Sequence, residues 1–300
     1  MGPTFDVCAL GCVCWDLLGT VADYPELDEK APLGDFTQQG GGRAGTAAAA
    51  VAALGGEAAI FGHIADDEFG QHILREFDEL GVNCDGLAVH TGHSSQFAFC
   101  VSHPASGRRT VFYNHESMPR MRAEHTDPQA LTHCRCLLID THHPDAALAA
   151  ARLAREKGLP VVLDAERPEP DLAEFFALSD YIIIPASLVM ALGDFDEAAG
   201  RESILQHEPA ALVITRGADG ADIYRGNKLL HQPAFAVPQV IDTTGAGDVF
   251  HGAFAYMLAL EHEAAECLAY ASAAAALSTT ALGGRGNLPS MAQVRALVTA

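Results

Sequence analysis

Short apolar runs alternate with helical patterns along most of this sequence, and that alternation limits the fold more than any other feature. Buried strands are indicated by FDVCALGCV, EAAIFGHIA, CRCLLID, PVVLDAE, DYIIIPA and ALVITRG. Helices are indicated by GTAAAAVAALGG, FGQHILREFDELGV and PDAALAAARLAREKGL. Strands joined by helices require right-handed crossovers, so we predict an α/β fold with a mostly parallel central sheet covered by helices on both faces. A chain of 300 residues fits one domain over 1–300.

Two segments, residues 17–40 and 93–115, depart from this pattern. They contain alternating, partly polar stretches such as SSQFAFCVSH and RRTVFYNH, which are joined by the turn-like PASG. Alternation with a period of two is typical of strands that expose one face. We therefore predict a small antiparallel β lid outside the main sheet.

Charge and composition exclude several classes of function. The formal net charge of −21 disfavours binding to nucleic acid or to an anionic membrane through the general surface field. The N-terminus lacks the pattern of a signal peptide, and the apolar segment 46–54 is too short to span a bilayer. Eight cysteines without a C-x-x-C pair, and histidines without ligand spacing, indicate a cytoplasmic protein that has no structural metal.

The stretch VIDTTGAGDVFHGAF carries the predicted chemistry. Gly245, Ala246 and Gly247 follow a predicted strand that ends at Asp242, and they precede an apolar helix. Small residues in such a turn leave backbone N–H groups free to bind an anion. A neighbouring carboxylate, Asp248, suits an enzyme that removes a hydroxyl proton while the amides stabilise a phosphoryl group. The alternative is that Asp248 is only a helix N-cap.

Other phosphate-binding motifs do not account for this sequence. No G-x-x-x-x-G-K-[ST] string occurs, which excludes a P-loop kinase, and GGGRAG lacks the preceding strand of a dinucleotide fingerprint.

Two stretches together resemble the PfkB (ribokinase-like) carbohydrate kinases. DTTGAGDVFHGAF resembles their C-terminal signature, and GGGRAGTAAAAVAALGG followed by IFGHIADDEFG resembles their N-terminal signature. The resemblance covers nearly the whole chain and implies a ribokinase-like fold. It also implies ATP-dependent phosphorylation of a hydroxyl on a small sugar or sugar derivative, with Mg²⁺ as cofactor and a homodimer formed through the lid.

The resemblance also assigns roles to positions in this chain. It implies that Asp248 is the catalytic base and that Gly245, Ala246 and Gly247 form the anion hole. Sugar contacts are implied for Asp16, Gly41, Gly42 and Thr46; nucleotide contacts for Thr215, Gly217 and Gly220; and a K⁺ site for Asp242, Gly286 and Ser290.

Two departures from the family pattern bear on function. Thr46 replaces an Asn that often contacts the sugar, so hydroxyl selection is expected to differ. Ala186 and Val189 replace an N-x-x-E pair associated with Mg²⁺ and phosphate. The metal would then be held mainly by nucleotide phosphates, water and other acids such as Asp242.

Within the family, the sequence is most similar to the bacterial sulfofructose kinase branch. The shared features are Thr46, the missing N-x-x-E pair and the strings SSQ and HQPAF. Lys30 aligns with a sulfonate-binding lysine, the asparagine of that site falls at Tyr113 or Asn114, and its arginine is replaced by His142. A neutral sugar or another sugar acid fits as well. An anionic acceptor would need local cations, for which the candidates are Lys30, Arg43, Arg108 and Arg109.

Two alternatives to a sugar kinase stay open at this stage. The missing N-x-x-E pair is compatible with a ligand-binding or regulatory protein that no longer turns over, although Asp248 is intact. A nucleoside kinase would keep the chemistry and change the acceptor.

His251, on the first turn of the predicted helix, either lines the pocket or packs beneath it.

Overall fold

The computed structural model describes residues 5–105, 108–114 and 118–300, with Arg108 described by its backbone alone. Residues 106, 107 and 115 of the second predicted lid segment lie outside the described residues.

The strands are β1 Phe5–Leu10, β2 Cys14–Thr20, β3 Phe36–Gly41, β4 Ala58–Ala65, β5 Asn83–His90, β6 Phe97–His103, β7 Arg108–Tyr113, β8 Cys134–Asp140, β9 Val161–Asp164, β10 Tyr181–Pro185, β11 Ala211–Thr215, β12 Ala221–Arg225 and β13 Lys228–Gln232. The α-helices are α1 Arg43–Ala53, α2 Glu68–Leu80, α3 Pro128–Leu131, α4 Pro144–Glu156, α5 Leu172–Leu178, α6 Ala186–Leu192, α7 Glu197–Leu205, α8 Ala246–Ala259, α9 Ala264–Ser278 and α10 Met291–Val298.

The main sheet is mostly parallel, as predicted. Its strand order is β13-β12-β11-β10-β9-β8-β1-β4-β5, and every pairing from β11 to β5 is parallel. The strands β12 and β13 extend one edge as an antiparallel hairpin. Because the parallel strands share one direction, their carboxyl ends meet at one edge, where open α/β sheets bind ligands.

Helices cover both faces of this sheet, because alternate residues of each buried strand point to opposite sides. Val7 and Ala9 of β1 pack in one core layer with α1, α8 and α9. Cys8 and Leu10 of the same strand pack in the other layer with α4 and α5. The prediction of two helical layers is confirmed.

A second, four-stranded sheet has the order β3-β2-β6-β7 within the described residues, and its strands lie in or next to the two predicted lid segments. The pairings β2–β3 and β6–β7 are antiparallel, as expected for hairpin neighbours. The pairing β2–β6 is parallel, because it joins strands from two separate excursions of the chain. The long connection 21–35 between β2 and β3 contains no strand and is mostly exposed.

One predicted strand was wrong. The segment AVPQVID, which ends at Asp242, forms no strand. Pro238 cannot donate to a sheet ladder, and the backbone N–H groups of Ile241 and Asp242 donate instead to the carbonyl oxygen of Thr279. The helix α8 therefore begins after a loop and not directly after a strand.

Across the described ranges, no helix combines the length and apolarity needed to cross a bilayer.

Candidate active site

The start of α8 lies between two cavities near the carboxyl edge of the main sheet. The first cavity has a volume of about 630 Å³ and is lined by residues that include Asp16, Gly245 and Asp248. The second has a volume of about 610 Å³ and is lined by residues that include Ala246 and Gly247. Consecutive residues of one helical turn thus face two separate spaces.

The backbone at this turn requires glycine at its first position. Gly245 is the N-cap of α8 and adopts the left-handed region, with φ 71° and no side-chain capping bond. A Cβ atom at Gly245 would also lie 2.4 Å from the Cα of Gly284. Since the first turn of a helix leaves N–H groups without helical partners, the positive end of α8 is open to an anion. The alternative that Asp248 is merely the N-cap is wrong, because Gly245 holds that position.

Asp248 lies in an electrostatic setting that favours proton uptake. Burial raises the pKa of its carboxyl well above the usual range, and the negative charges of Asp164 and Glu166 raise it further, while Arg43 lowers it. A carboxylate that is costly to keep ionised is a stronger base. Asp248 is therefore suited to accept a proton from a hydroxyl in the first cavity.

Asp16 faces the same cavity from the small sheet. It is 7% exposed, and its Oδ1 accepts a hydrogen bond from Cys14 Sγ at 3.2 Å. Gly41 passes directly against it, since a Cβ at Gly41 would lie 2.2 Å from Asp16 Oδ2. Gly42 has φ 83°, and a Cβ there would lie 2.4 Å from the carbonyl oxygen of Cys12. Gly41 thus allows the backbone to lie close to Asp16, and Gly42 allows it to lie close to Cys12; the predicted approach of a sugar to these glycines stays a prediction.

The second cavity has an apolar wall and a glycine-rich floor. Phe235, Val240 and Phe250 contribute to the wall. The three residues for which nucleotide contacts were predicted, Thr215, Gly217 and Gly220, all line this cavity. Its size and apolar character suit a planar heterocycle beside the phosphate-binding end of α8.

Comparison with known proteins agrees with this geometry. Residues 4–291 match the family described as pfkB family carbohydrate kinase. The chain belongs to the pfkB family. Like its relatives named ribokinase and fructokinase, it is an ATP-dependent sugar or nucleoside kinase.

Individual relatives span almost all of the chain. An ATP-dependent ribose-1-phosphate kinase from Halopiger xanaduensis is 28% identical over 282 residues, covering 93% of this chain and 93% of that protein. A ribokinase from Bacillus subtilis is 27% identical over 299 residues, covering 98% and 99%. The predicted sulfofructose kinase branch is not confirmed by these relatives.

Solved structures show the same fold. A ribokinase from Arabidopsis thaliana, complexed with ribose and ATP, has a TM-score of 0.84 at 21% identity and covers 100% of both chains. A fructokinase from Xylella fastidiosa with bound ATP has a TM-score of 0.84 at 22% identity and covers 98% of both chains. The prediction of a ribokinase-like fold is confirmed.

The positions aligned with a sulfonate site are brought together only in part in this pfkB protein. His142 and Tyr113 line the first cavity. Asn114 instead ties β6 to β7, with its Oδ1 accepting from the Phe97 N–H at 2.7 Å. Lys30 lies in the exposed connection between β2 and β3, away from the residues that line either cavity within the described ranges.

Thr46 is also displaced from its predicted role. It is 1% exposed, it is absent from the described lining of the first cavity, and its Oγ1 accepts a hydrogen bond from Arg285 Nε at 3.4 Å. A threonine at this position therefore joins the packing behind the acceptor cavity.

Several cavity residues were missed by sequence reasoning. They are His63, Arg120, His143, Glu166 and Arg167. Glu166 and Arg167 follow β9, and His143 follows β8, so the rule that ligands bind beyond the carboxyl ends of parallel strands would have found these three. Arg120 lies in an irregular segment whose sequence carries no comparable signal.

Two of the three residues predicted to bind K⁺, Asp242 and Ser290, have other roles in this structure. Both Asp242 oxygens accept hydrogen bonds, Oδ1 from Ser102 Oγ and from the N–H and Oγ1 of Thr244, and Oδ2 from the Gly283 N–H. Ser290 is the exposed N-cap of α10. The carboxylate of Asp242 organises the loop before α8, which also argues against its predicted contact with Mg²⁺.

His251 packs beneath the site, which settles the choice left open by the sequence. It is 5% exposed and is absent from the described lining of both cavities. Its ring nitrogens face the carbonyl oxygens of Gly247 at 2.6 Å and Ile183 at 3.0 Å. The ring thereby fastens the first turn of α8 to β10.

Proposed function

We propose that this kinase transfers the γ-phosphoryl group of ATP to a hydroxyl of a small sugar bound in the first cavity. One observation carries the proposal: Gly245 and Asp248 line the first cavity, while Ala246 and Gly247 line the second. A phosphoryl group held by the α8 amides would therefore lie between a nucleotide and a hydroxyl. That is the placement which in-line transfer requires.

The roles of the residues follow from their positions. Asp16 holds hydroxyl groups of the acceptor, and Asp248 accepts the proton of the attacking hydroxyl. The free N–H groups at the start of α8 stabilise the negative charge that spreads over the transferring group. The small sheet closes over the acceptor and excludes water, which would otherwise compete for the phosphoryl group.

The residues present fit ATP and leave Mg²⁺ few protein ligands. Ala186 opens α6 and Val189 is fully buried, so neither replaces the N-x-x-E pair. Over the described ranges, no three or more His, Cys, Asp or Glu side chains are grouped so as to hold a metal ion. Mg²⁺ would neutralise phosphate charge, with phosphates and water as its main ligands, and Glu166 is the carboxylate in the described lining of the first cavity to which no role is otherwise assigned.

A sugar panel tests the proposal directly. Thermal shifts with sugars, sugar phosphates and sulfosugars identify binders, because a ligand at 100 times its Kd adds about 2.7 kcal/mol of stability. ADP release with ATP and Mg²⁺ then shows turnover. A sugar that stabilises the protein without any ADP release would favour the second candidate, a binding protein, which the missing N-x-x-E pair supports.

We further propose that the acceptor is anionic. Arg43, Arg109, Arg120 and Arg167 line the first cavity of a protein whose net charge is −21. Arg43 is engaged by Asp140 at 3.8 Å, and Arg109 donates to Thr243 Oγ1 at 3.1 Å. Arg120 and Arg167 are exposed, and the Nε of Arg167 also pairs with Glu169 Oε1 at 2.8 Å. The name of the Halopiger relative, a ribose-1-phosphate kinase, gives independent support.

His142 does not supply the charge. Burial lowers the pKa of its imidazole, and the positive charges of Arg43, Arg120 and Arg167 lower it further, against the opposing effect of Asp140. The ring is therefore neutral near pH 7 and contributes at most a hydrogen bond. Affinity for an anionic acceptor should not weaken through His142 as the pH rises above neutrality.

Arg120→Ala and Arg167→Ala should each raise the KM for a charged acceptor by roughly tenfold or more, since a charge-assisted hydrogen bond is lost. The KM for the neutral parent sugar should change little. Arg122→Ala is the matched control, because Arg122 is exposed and lies outside the described lining of the cavity. Lys30→Ala should behave like this control. If every variant had the same KM for a charged acceptor as for its neutral parent sugar, that result would contradict the proposal of an anionic acceptor.

The small sheet also supports a homodimer. Val111 and Tyr113 of β7 line the first cavity, so Phe112 points to the opposite face, where it is 59% exposed. A second copy that covers this face and the free strand edges would remove an aggregation hazard.

Light scattering at micromolar concentration should therefore show a dimer, and Phe112→Lys should shift it towards monomer. Phe195→Lys is the control, because Phe195 is 81% exposed in the connection between α6 and α7. A monomeric wild-type protein would contradict the pairing and leave the catalytic proposal untouched.

We also propose a cytoplasmic location, which agrees with eight free cysteines.

A further inference from the structure

Arg285 is a buried arginine with partners from three separate segments of the chain. Its side chain is 2% exposed, and its guanidinium lies 4.7 Å from the ring centroid of Phe77. Its Nη1 pairs with Glu76 Oε2 at 2.8 Å, and its Nη2 donates to the carbonyl oxygen of Gly41 at 3.1 Å. With the bond from its Nε to Thr46 Oγ1 at 3.4 Å, each of its three guanidinium nitrogens donates a hydrogen bond.

These partners lie where the end of β3 in the small sheet meets α1 and α2. Glu76 Oε2 also accepts from the Gly40 N–H at 2.6 Å, so the ion pair holds the backbone at both Gly40 and Gly41. A Cβ at Gly40 would lie 2.0 Å from Glu76 Oε2 and 2.1 Å from Arg285 Nη1, which explains the glycine. Gly41 in turn lies against Asp16, the proposed acceptor ligand. The side chain of Arg285 thus fixes the backbone that borders the acceptor.

The backbone next to Arg285 reaches the other half of the site. Gly284 packs against Gly245, the N-cap of α8. The Gly283 N–H donates to Asp242 Oδ2 at 2.9 Å, and Asp242 organises the loop that enters the same turn. One short segment, residues 283–285, therefore contacts the anion-binding turn through its backbone and the acceptor junction through its side chain.

We propose that Arg285 is a positioning residue that fixes the acceptor junction at Gly40–Gly41 relative to the anion-binding turn at Gly245. It touches neither substrate, and it acts by holding the attacking hydroxyl and the phosphoryl group at the correct distance and orientation for transfer. The catalytic part of this inference rests on the proposed function. Small errors of alignment are costly in transfer reactions, so its effect should appear in kcat more than in binding.

The test uses a double variant, Glu76→Gln with Arg285→Met. Removing only the arginine would leave an unpaired carboxylate in a largely buried setting, whereas the double variant removes both charges and keeps similar volumes. The amide oxygen introduced by Glu76→Gln can still accept the Gly40 hydrogen bond. Phe175→Leu is the stability control, because Phe175 is fully buried in the other core layer and is absent from the described lining of both cavities. Arg285→Lys keeps the charge without the planar fork.

We expect kcat of the double variant to fall by roughly 10- to 100-fold while the nucleotide KM changes little. The fall in kcat should be smaller for Arg285→Lys than for the double variant. Phe175→Leu should lower Tm and leave kcat unchanged. A double variant whose kcat matches that of the control, at a similar loss of Tm, would overturn the positioning role.

A second measurement does not depend on turnover. Amide hydrogen exchange in the free protein should become about tenfold faster at residues 40–46 and 243–248 of the double variant, with the strands of the main sheet unaffected. Unchanged exchange at both segments would refute the linkage. If the wild-type protein phosphorylates no sugar, the proposed function fails, and the exchange measurement still decides whether Arg285 joins the two segments.

Discussion

Asp248→Asn is expected to lower kcat by roughly 10²- to 10⁴-fold, the usual scale for loss of a general base. The amide has nearly the same shape as the carboxylate but cannot accept the proton of the attacking hydroxyl. Because Gly245, and not Asp248, caps α8, the substitution removes no capping bond. The variant should therefore keep its fold and much of its affinity for acceptor and nucleotide. Steady-state kinetics, with thermal melting and ligand-induced shifts as checks, measure each part.

The pH dependence gives a second measurement of the same role. Only the ionised carboxylate of Asp248 acts as a base, so activity should fall as the pH drops through its pKa. Since burial and the charges of Asp164 and Glu166 raise that pKa, the acid limb of kcat/KM should lie above the range of an ordinary aspartate. The limb should be missing in Asp248→Asn. Asp171→Asn is the control, because Asp171 is the exposed N-cap of α5 and its side chain makes no capping bond. Near-normal turnover in Asp248→Asn would refute the assignment.

Gly247→Val is expected to abolish most turnover while acceptor binding survives. A Cβ at Gly247 meets no described atom within 4 Å, and its backbone is not in the left-handed region. A branched side chain therefore fits the empty protein, and it occupies the space in which we place the phosphoryl group. The fold should lose little stability, because valine costs well under 1 kcal/mol relative to the best helix formers. Activity with ATP, acceptor-induced thermal shifts and Tm test these expectations together.

Gly245→Ala provides the contrast. The backbone of Gly245 has φ 71°, which is strained for any residue with a side chain, and a Cβ there would clash with Gly284. It should lower Tm, whereas Gly247→Val should lower activity without a matching loss of Tm. Persistent activity in Gly247→Val would show that the turn is structural and that the phosphoryl group lies elsewhere.

Local sequence was enough for much of this protein. The alternation of apolar runs and helices determined a parallel sheet, because strands buried on both faces are apolar throughout and must be joined by crossovers. The sequence also predicted an anion-binding turn at Gly245 to Asp248, because small residues ahead of an apolar helix leave backbone N–H groups open, and the structure begins α8 at that turn. The resemblance to a known family added Asp16 and Gly42, which line the first cavity, and Gly41, which lies against Asp16.

Tertiary structure decided the rest, for reasons that are not local. The parallel pairing of β2 with β6 joins residues about 80 positions apart, and no period within either strand specifies it. Lys30 and Arg120 are both polar residues in irregular segments, and only the path of the chain places Arg120 in the cavity and Lys30 outside it. Arg285 carries no motif, since its importance depends on Glu76 and Gly41, more than 200 residues earlier in the chain. The charges that surround a site come from segments that are distant in the sequence and are packed together in the fold. The sequence therefore determines them only through the complete fold.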